Sequence, residues 1–434
     1  MSGDRGWNLV YDDGAGAAPD TVPAGPAPRT GPAEAGSRAR RVLAVADEWF
    51  PARGGLSSFN RYLCNALAAA GAAVSCLVPA ASEEERRDAA RTGVRLAIAR
   101  RQAGTSDLQA LMRKPSLPGD ARPDMVIGHG RVTGPIAKAL VEDHYPDAAR
   151  LHFVHMAPDD IEWHKLDKED DAGLLANERS RLELDLAQDA AAVVPVGPRL
   201  HAWLERDLLE DADGRRPRLV RLDPGFDITG RPERTPPAGR PLIMIMGRME
   251  EVRLKGVDIA ARAIGHAHTL SPDAAEWELL VRGAPARGEH GMRERLLGLI
   301  GHRSANVTVR AYAAETSVVE EDLRRASLLL MPSRVEGYGL VGHEAITAGT
   351  PALISERSGL GRLLGEVLPR EQAQRIVVPV RDEEADVALW GHRIAAVMAE
   401  RRGAFERAAE ARSALAGLRT WAAAAEQLLD LPRG

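Results

Sequence analysis

Two glutamates in "RVEGYGLVGHE", Glu336 and Glu344, stand eight positions apart, with Gly337, Tyr338 and Gly339 just behind the first. Upstream, "MGRMEEVRLKG" sets Arg248 and Lys255 seven positions apart, ahead of Gly256. Carboxylates accept hydrogen bonds from sugar hydroxyls. A guanidinium grips two oxygens of a pyrophosphate, and an ammonium adds a point charge. "ASLLLMPS" before Glu336 reads as a buried strand, and "GLVGHEAITAG" after it as a helix starting near Gly339. The free N–H groups of that helix end suit phosphate oxygens. Glu336 in the turn and Glu344 over one helical turn later can bracket a nucleotide sugar, a carboxylate for each sugar and amides on the diphosphate between. Gly337 and Gly339 suit backbone pressed close to a ligand. The competing reading is a surface loop, an ordinary helical Glu, and solvated loop charges at Arg248, Arg253 and Lys255.

The elements that must position these residues alternate. "RVLAVAD" (41–47) reads as a buried strand, "EWFPARGGLSS" as a loop, "SFNRYLCNALAAAG" as a helix and "AAVSCLVPA" as the next strand. Further strands are expected at 124–129, 150–156 and 190–197, with helical patterns between them. "DPGFDITG" (223–230) closes this half, and the Pro-rich "RPERTPPAGR" (231–240) reads as a linker. A second series starts at "PLIMIMGR" (241–248) and continues at 276–283, 306–312, 326–333 and 350–356. The stretch 391–431 is helical by period. Short apolar strands alternating with helices predict two α/β halves, each a doubly wound parallel sheet of βαβ units. Ligands of such sheets bind at the carboxyl ends of the strands, so the cleft between the halves is the expected site. The expected organisation is a tail over 1–39, one half over 40–230, the other over 241–412, and a terminal helix over 413–434. Residues 1–39, rich in Ala, Pro and Gly, are expected to be flexible.

Composition removes several other classes. The chain has 434 residues, 44% hydrophobic and 27% charged, enough for two or three globular domains. A net charge of −5 with Lys and Arg spread along the length argues against a nucleic-acid surface. Cys64 and Cys76 fall in a helix and the next strand and read as buried thiols. No CxxC or HExxH occurs, so zinc has no support. The run 66–81 is mostly alanine, broken by Gly71 and Pro79, and lacks the roughly 20 apolar residues of a span. The first twenty residues have no apolar core, so a soluble, cytoplasmic protein is expected, with no transmembrane segment and at most peripheral membrane contact. After the first strand neither G-x-G-x-x-G nor a P-loop is present. Gly54-Gly55 precedes a helix instead, which permits close approach to an anion or simply makes a turn.

"PSRVEGYGLVGHEAITAGTPALIS" resembles the E-x7-E signature of the retaining, GT-B-fold glycosyltransferases of family 4. The Gly54-Gly55 loop resembles that family's N-terminal glycine loop, "DPGFD" its interdomain crossing, and "GRMEEVRLKG" its G-R…K-G element. The final helix with Trp421 resembles the terminal helix that packs back on the N-terminal domain. The likeness spans residues 41–430. It implies two Rossmann-like domains facing across a cleft, with a nucleotide diphosphate sugar as co-substrate, a UDP- or GDP-sugar foremost. Arg248 and Lys255 would bind the diphosphate, Glu336 the donor sugar and Glu344 the ribose. The turn Gly337-Tyr338-Gly339 and the amides to Leu340 and Val341 would meet the donor, with Gly54 and Gly55 approaching from the other domain. Tyr312 and Ala313 lie where the family contacts the base. His155 matches the histidine that faces the reacting sugar. Two departures fall in the acceptor-side domain: Ala72 where the family often has His, and Gly197 where it usually has Ser.

The resemblance further implies transfer on one face of the sugar, the leaving phosphate helping to deprotonate the acceptor. Catalysis would be mostly charge stabilisation by Arg248, Lys255 and the helix end. Fixed cations would do what magnesium does elsewhere, so no metal or other cofactor is expected. The acceptor would be a small molecule or glycan. Asp159, Asp160, Glu162 and His164 in "HMAPDDIEWHK" could bind its hydroxyls or an amine, or could be a solvated loop with an N-cap. His129 ends a strand and could line the cleft or be structural. "DAD" at 211–213 reads as surface acid. A non-catalytic sugar-nucleotide sensor is the rival class; it should have lost one of Arg248, Lys255 or Glu336, and all three are present.

Overall fold

Each half of the chain builds the same sheet. The computed structural model describes residues 39–51, 55–158, 172–208, 216–227, 233–285, 287–302, 305–313, 316–381 and 383–432. The strands β1 (Arg41–Val45), β2 (Ala73–Val78), β3 (Arg95–Ile98), β4 (Met125–His129), β5 (Ala149–Val154) and β6 (Ala192–Pro195) pair in the order β3-β2-β1-β4-β5-β6. The second set is β7 (Leu242–Met246), β8 (Glu278–Ala284), β9 (Asn306–Ala311), β10 (Leu328–Met331), β11 (Ala352–Ser355) and β12 (Val377–Val378), in the order β12-β11-β10-β7-β8-β9. Every pairing is parallel. The winding reverses between β1 and β4 in one sheet and between β7 and β10 in the other. These are the switch points at which such sheets bind ligands.

The strands read as continuous apolar runs because helices cover both faces. Along β7, Ile243 and Ile245 join one buried cluster with Val257, Ile259 and Trp390. Met244, pointing the other way, joins Leu329, Met331, Ile354 and Leu360. That period of two is what a doubly wound strand requires. Two strands escaped the sequence reading, β3 "RLAI" and β12 "VV", both at sheet edges. β3 begins with an exposed Arg95, and β12 is only two residues long, so neither leaves an apolar run. Cys64 and Cys76 are buried free thiols.

The terminal stretch, helical by period, is three helices, Glu383–Ala399, Arg401–Leu418 and Trp421–Leu429. The expected boundary at 412/413 falls inside the second. The backbone leaves the helical region at Arg419 (φ −137°, ψ 105°), and the Thr420 side chain then caps the last helix by accepting from the Ala423 amide. Trp421 returns to the first half: its ring lies 5.5 Å from Phe59 and stacks at 5.8 Å on Tyr62, both in the helix Gly55–Ala69. "DPGFD" secures this return. Asp227 accepts from the Trp421 amide at 2.7 Å, the Phe226 amide donates to the Arg419 carbonyl at 2.8 Å, and Asp223 takes Arg419 at 3.0 Å. In the linker, Arg234 donates to the Leu323 carbonyl and to Thr350. No helix among the described residues is long and apolar enough to cross a membrane. The expected tail lies, up to residue 38, outside the described residues.

Candidate active site

The segments that follow β1, β4, β5, β7 and β10 converge on one cavity of about 470 Å³. Lys255 and Glu336 meet there. Lys255 Nζ lies 2.6 Å from Glu336 Oε2, across 81 residues of sequence, with both side chains mostly shielded. Two charges at that distance in a partly dry pocket orient each other. The loop that carries Lys255 is held from behind by Arg334, which is buried. Arg334 makes a two-pronged contact with Asp258 at 2.8 Å on each prong and donates to the Arg253 carbonyl at 2.6 Å. Burial would raise the Asp258 carboxyl, but Arg334 outweighs it and holds it below the usual carboxylate value.

Arg248, exposed at the rim, lines the cavity and forms no ion pair among the described residues. The helix Leu340–Thr347 points its N-terminus into the same space: Gly339, Leu340, Val341 and Glu344 all border it. Next to Glu344, His343 donates from Nε2 to the Gly225 carbonyl at 3.0 Å, tying this helix to the interdomain crossing. Tyr312 and Ala313 line the cavity as well. Burial, then Glu344 and Glu48, push the Tyr312 phenol up to about 12 against the pull of Arg248, so it stays a protonated donor among charged neighbours. Arg282 pairs with buried Asp322 and donates to the Ala311 carbonyl, which anchors the end of β9 beside Tyr312. Arg253, the third nearby cation, does not line the cavity.

The first half contributes Gly55, Ser57, Tyr62, Arg131 and His155. A Cβ on Gly55 would lie 2.8 Å from the Leu340 side chain, so the glycine loop packs directly over the helix start. Gly54 is outside the described residues, as are Asp159, Asp160, Glu162, His164 and the acids at 211–213. Glu48 and Arg131 were not anticipated. Glu48 accepts from Ser57 at 2.7 Å. Both lie within three residues of the end of a strand at the switch point, and that position was the signal available for finding them.

Three expectations need correction. Gly337 does not border the cavity; a Cβ there would lie 2.0 Å from the His155 carbonyl oxygen, so its bareness serves contact between the halves. Tyr338 borders the cavity, but its ring is buried at 3% exposure against Gly197, not presented to a ligand. A Cβ on Gly197, whose φ is +87°, would sit 2.7 Å from that ring. The Gly197 departure is thereby explained: a tyrosine from the other half fills the place. Third, His129 does not line the cleft. It is 2% exposed behind His155, its Nδ1 3.0 Å from His155 Nε2 and its Nε2 3.0 Å from Asn60 Oδ1. Burial, helped by His152, pushes His129 down to about 3, and burial with both neighbours keeps His155 well below the usual imidazole range. Both rings are neutral at physiological pH.

Comparison with known proteins agrees with this architecture. A family profile described as family 4 glycosyltransferase in conflict systems matches residues 43–428. The D-inositol 3-phosphate glycosyltransferase of Acidothermus cellulolyticus is 26% identical over 216 residues, 46% of this chain and 44% of that protein. That of Nocardia farcinica is 28% identical over 236 residues, 52% and 49%. The chain thus spans about half the length of the curated relatives it matches. Among solved structures, sucrose-phosphate synthase from Thermosynechococcus elongatus superposes with a TM-score of 0.65 at 19% identity, over 90% of this chain and 98% of that one. Anabaena HepE in complex with UDP and glucose gives 0.61 at 12% identity, over 90% and 98%. At these identities the superpositions speak to the fold.

Proposed function

The chain belongs to the family 4 glycosyltransferases and has the GT-B fold, and from that premise we propose that it moves a sugar from a nucleotide diphosphate sugar to a small-molecule or glycan acceptor with retention of configuration. The observation that carries the reading is the Lys255–Glu336 pair at 2.6 Å, set beside the start of the Leu340–Thr347 helix at the switch point of the second sheet. A cation, a carboxylate and a helix N-terminus gathered within one cavity suit a diphosphate joined to a sugar. Lys255 and Arg248 supply positive charge where the leaving diphosphate gains negative charge. Glu336, held by Lys255, accepts from sugar hydroxyls. Glu344 and Tyr312 face the nucleoside. Fixed cations take the role a metal ion would otherwise fill, so the proposed reaction proceeds in EDTA. A sugar-nucleotide sensor is disfavoured because the whole charge constellation stands.

The test is a thermal-shift screen against UDP, GDP, ADP, dTDP and their common sugars in EDTA, followed by transfer or hydrolysis of the labelled donor that binds. A ligand of the folded state raises stability by RT ln(1 + [L]/Kd). Lys255→Ala should abolish the shift and lower turnover by about 10²–10³-fold, the scale of removing one charge-stabilising donor. NMR of the product's anomeric centre should show retention. Near-normal turnover in Lys255→Ala or Glu336→Ala would remove these assignments, and binding without any transfer or hydrolysis would favour the sensor.

A further inference from the structure

Among the described residues His155 is the one imidazole at the cavity, and its outer nitrogen is chosen by residues that do not line the cavity. The chain of contacts runs inward from His155 Nε2 to His129 Nδ1 at 3.0 Å, then from His129 Nε2 to Asn60 Oδ1 at 3.0 Å. Two imidazole nitrogens at that separation need a single proton between them. The amide settles which ring owns it. Asn60 Nδ2 donates to Cys76 Sγ at 3.5 Å, and Oδ1, facing His129, is an acceptor only. His129 must then carry its proton on Nε2, which leaves Nδ1 bare. His155 in turn must donate from Nε2, and its own Nδ1 is left bare as the ring's remaining polar atom.

We propose that Asn60 and His129 are positioning residues that fix the tautomer of His155, so that His155 offers the cavity a hydrogen-bond acceptor for a hydroxyl of the bound sugar. The inference rests on reading the cavity as a sugar site. A neutral His155 free to change tautomer would accept from or donate to whatever arrived; one locked with Nδ1 bare selects a hydroxyl proton and rejects a lone pair. Phe59, itself buried, packs against the relay. It meets His155 edge-on at 5.1 Å and His129 at 6.1 Å, and is itself covered by Trp421 at 5.5 Å. The returning terminal helix thus supports this relay through Phe59. Burial, with His152 beside both rings and His129 beside His155, pushes both toward neutrality, as one shared proton demands.

The test is long-range 1H–15N spectroscopy of the full chain labelled on histidine, at pH 7.5, with His155 and His129 assigned from His155→Gln and His129→Gln. Expected are a protonated Nε2 and an unprotonated Nδ1 for both rings, and in Asn60→Ala a shift of His155 toward the other tautomer or a mixture. A protonated Nδ1 on His155 in the unaltered protein would overturn the proposal, whether or not the variant folds. So would a folded Asn60→Ala protein whose two histidines keep their original signals. The spectrum needs neither donor nor turnover, so it can fail while the transferase reading survives, and the reverse.

Discussion

Replacing Gly197 by Ser, the residue usual in the family the chain resembles, should loosen the contact between the halves. Gly197 has φ +87°, and a Cβ there would lie 2.7 Å from Tyr338 Cδ2 and 3.3 Å from Cε2. A side chain at φ +87°, ψ 170°, a region essentially confined to glycine, costs roughly 1–3 kcal/mol. Overpacking against a buried ring costs roughly 1–3 kcal/mol more. The expected loss is therefore about 2–6 kcal/mol, a large share of the roughly 5–15 kcal/mol that holds a typical protein folded. The two components can be separated. Tyr338→Ala in the Gly197→Ser background removes the steric part and leaves the backbone strain. The double variant should be more stable than the sum of the single losses by about 1–3 kcal/mol, a coupling of the size neighbours show. Urea unfolding followed by circular dichroism, with all four proteins at one pH, reads each value. Additive losses would refute the argument that Tyr338 is what keeps position 197 bare.

Other consequences follow from single contacts. Tyr338→Phe deletes a buried hydroxyl that has no hydrogen-bond partner among the described residues and should raise the urea midpoint, worth about 1 kcal/mol; a lowered midpoint would mean that the hydroxyl is satisfied. Trp421→Ala removes a ring buried on Phe59 and Tyr62 and should cost roughly 3–5 kcal/mol, read by the same unfolding; a loss below 1 kcal/mol would mean that the last helix is not docked in solution. His129 has its folded value depressed to about 3 from 6.5, so the unfolded chain binds a proton that the folded one refuses. Its share of stability is complete above pH 6.5 and falls by about 1.4 kcal/mol per pH unit below it, until about pH 3; unfolding free energies at pH 7, 6 and 5 that do not fall would contradict a neutral buried His129.

Legibility in the sequence tracked the range of the interaction. Lys255 and Glu336 could be picked out because each stands between a strand and the helix after it, a pattern confined to a dozen residues. Their mutual contact at 2.6 Å could not, since it is made across 81 residues and depends on β7 and β10 being neighbours. The sheet strands were legible where helices cover both faces and leave an unbroken apolar run, and were missed at the edges β3 and β12. Period marks the terminal stretch as helical without marking its breaks at Glu400 and Arg419, where only the backbone angles change.

Gly337 shows the sharper limit. A glycine beside a candidate ligand residue signals close approach, and close approach there is real. What approaches is the His155 carbonyl of the other half rather than a substrate. Gly197 gives the same result from the other side, where the intruder is Tyr338. Sequence can say that a backbone position must be bare without saying what presses on it. In a two-domain protein whose candidate site lies between the domains, the pressing group is as readily the opposite domain as the ligand. Both signals lead to the cleft, and only the assembled halves tell one from the other. The same holds for His129, which ends its strand at the cleft as an acceptor-binding residue would, yet in the folded chain stands behind His155 and acts on the site through it.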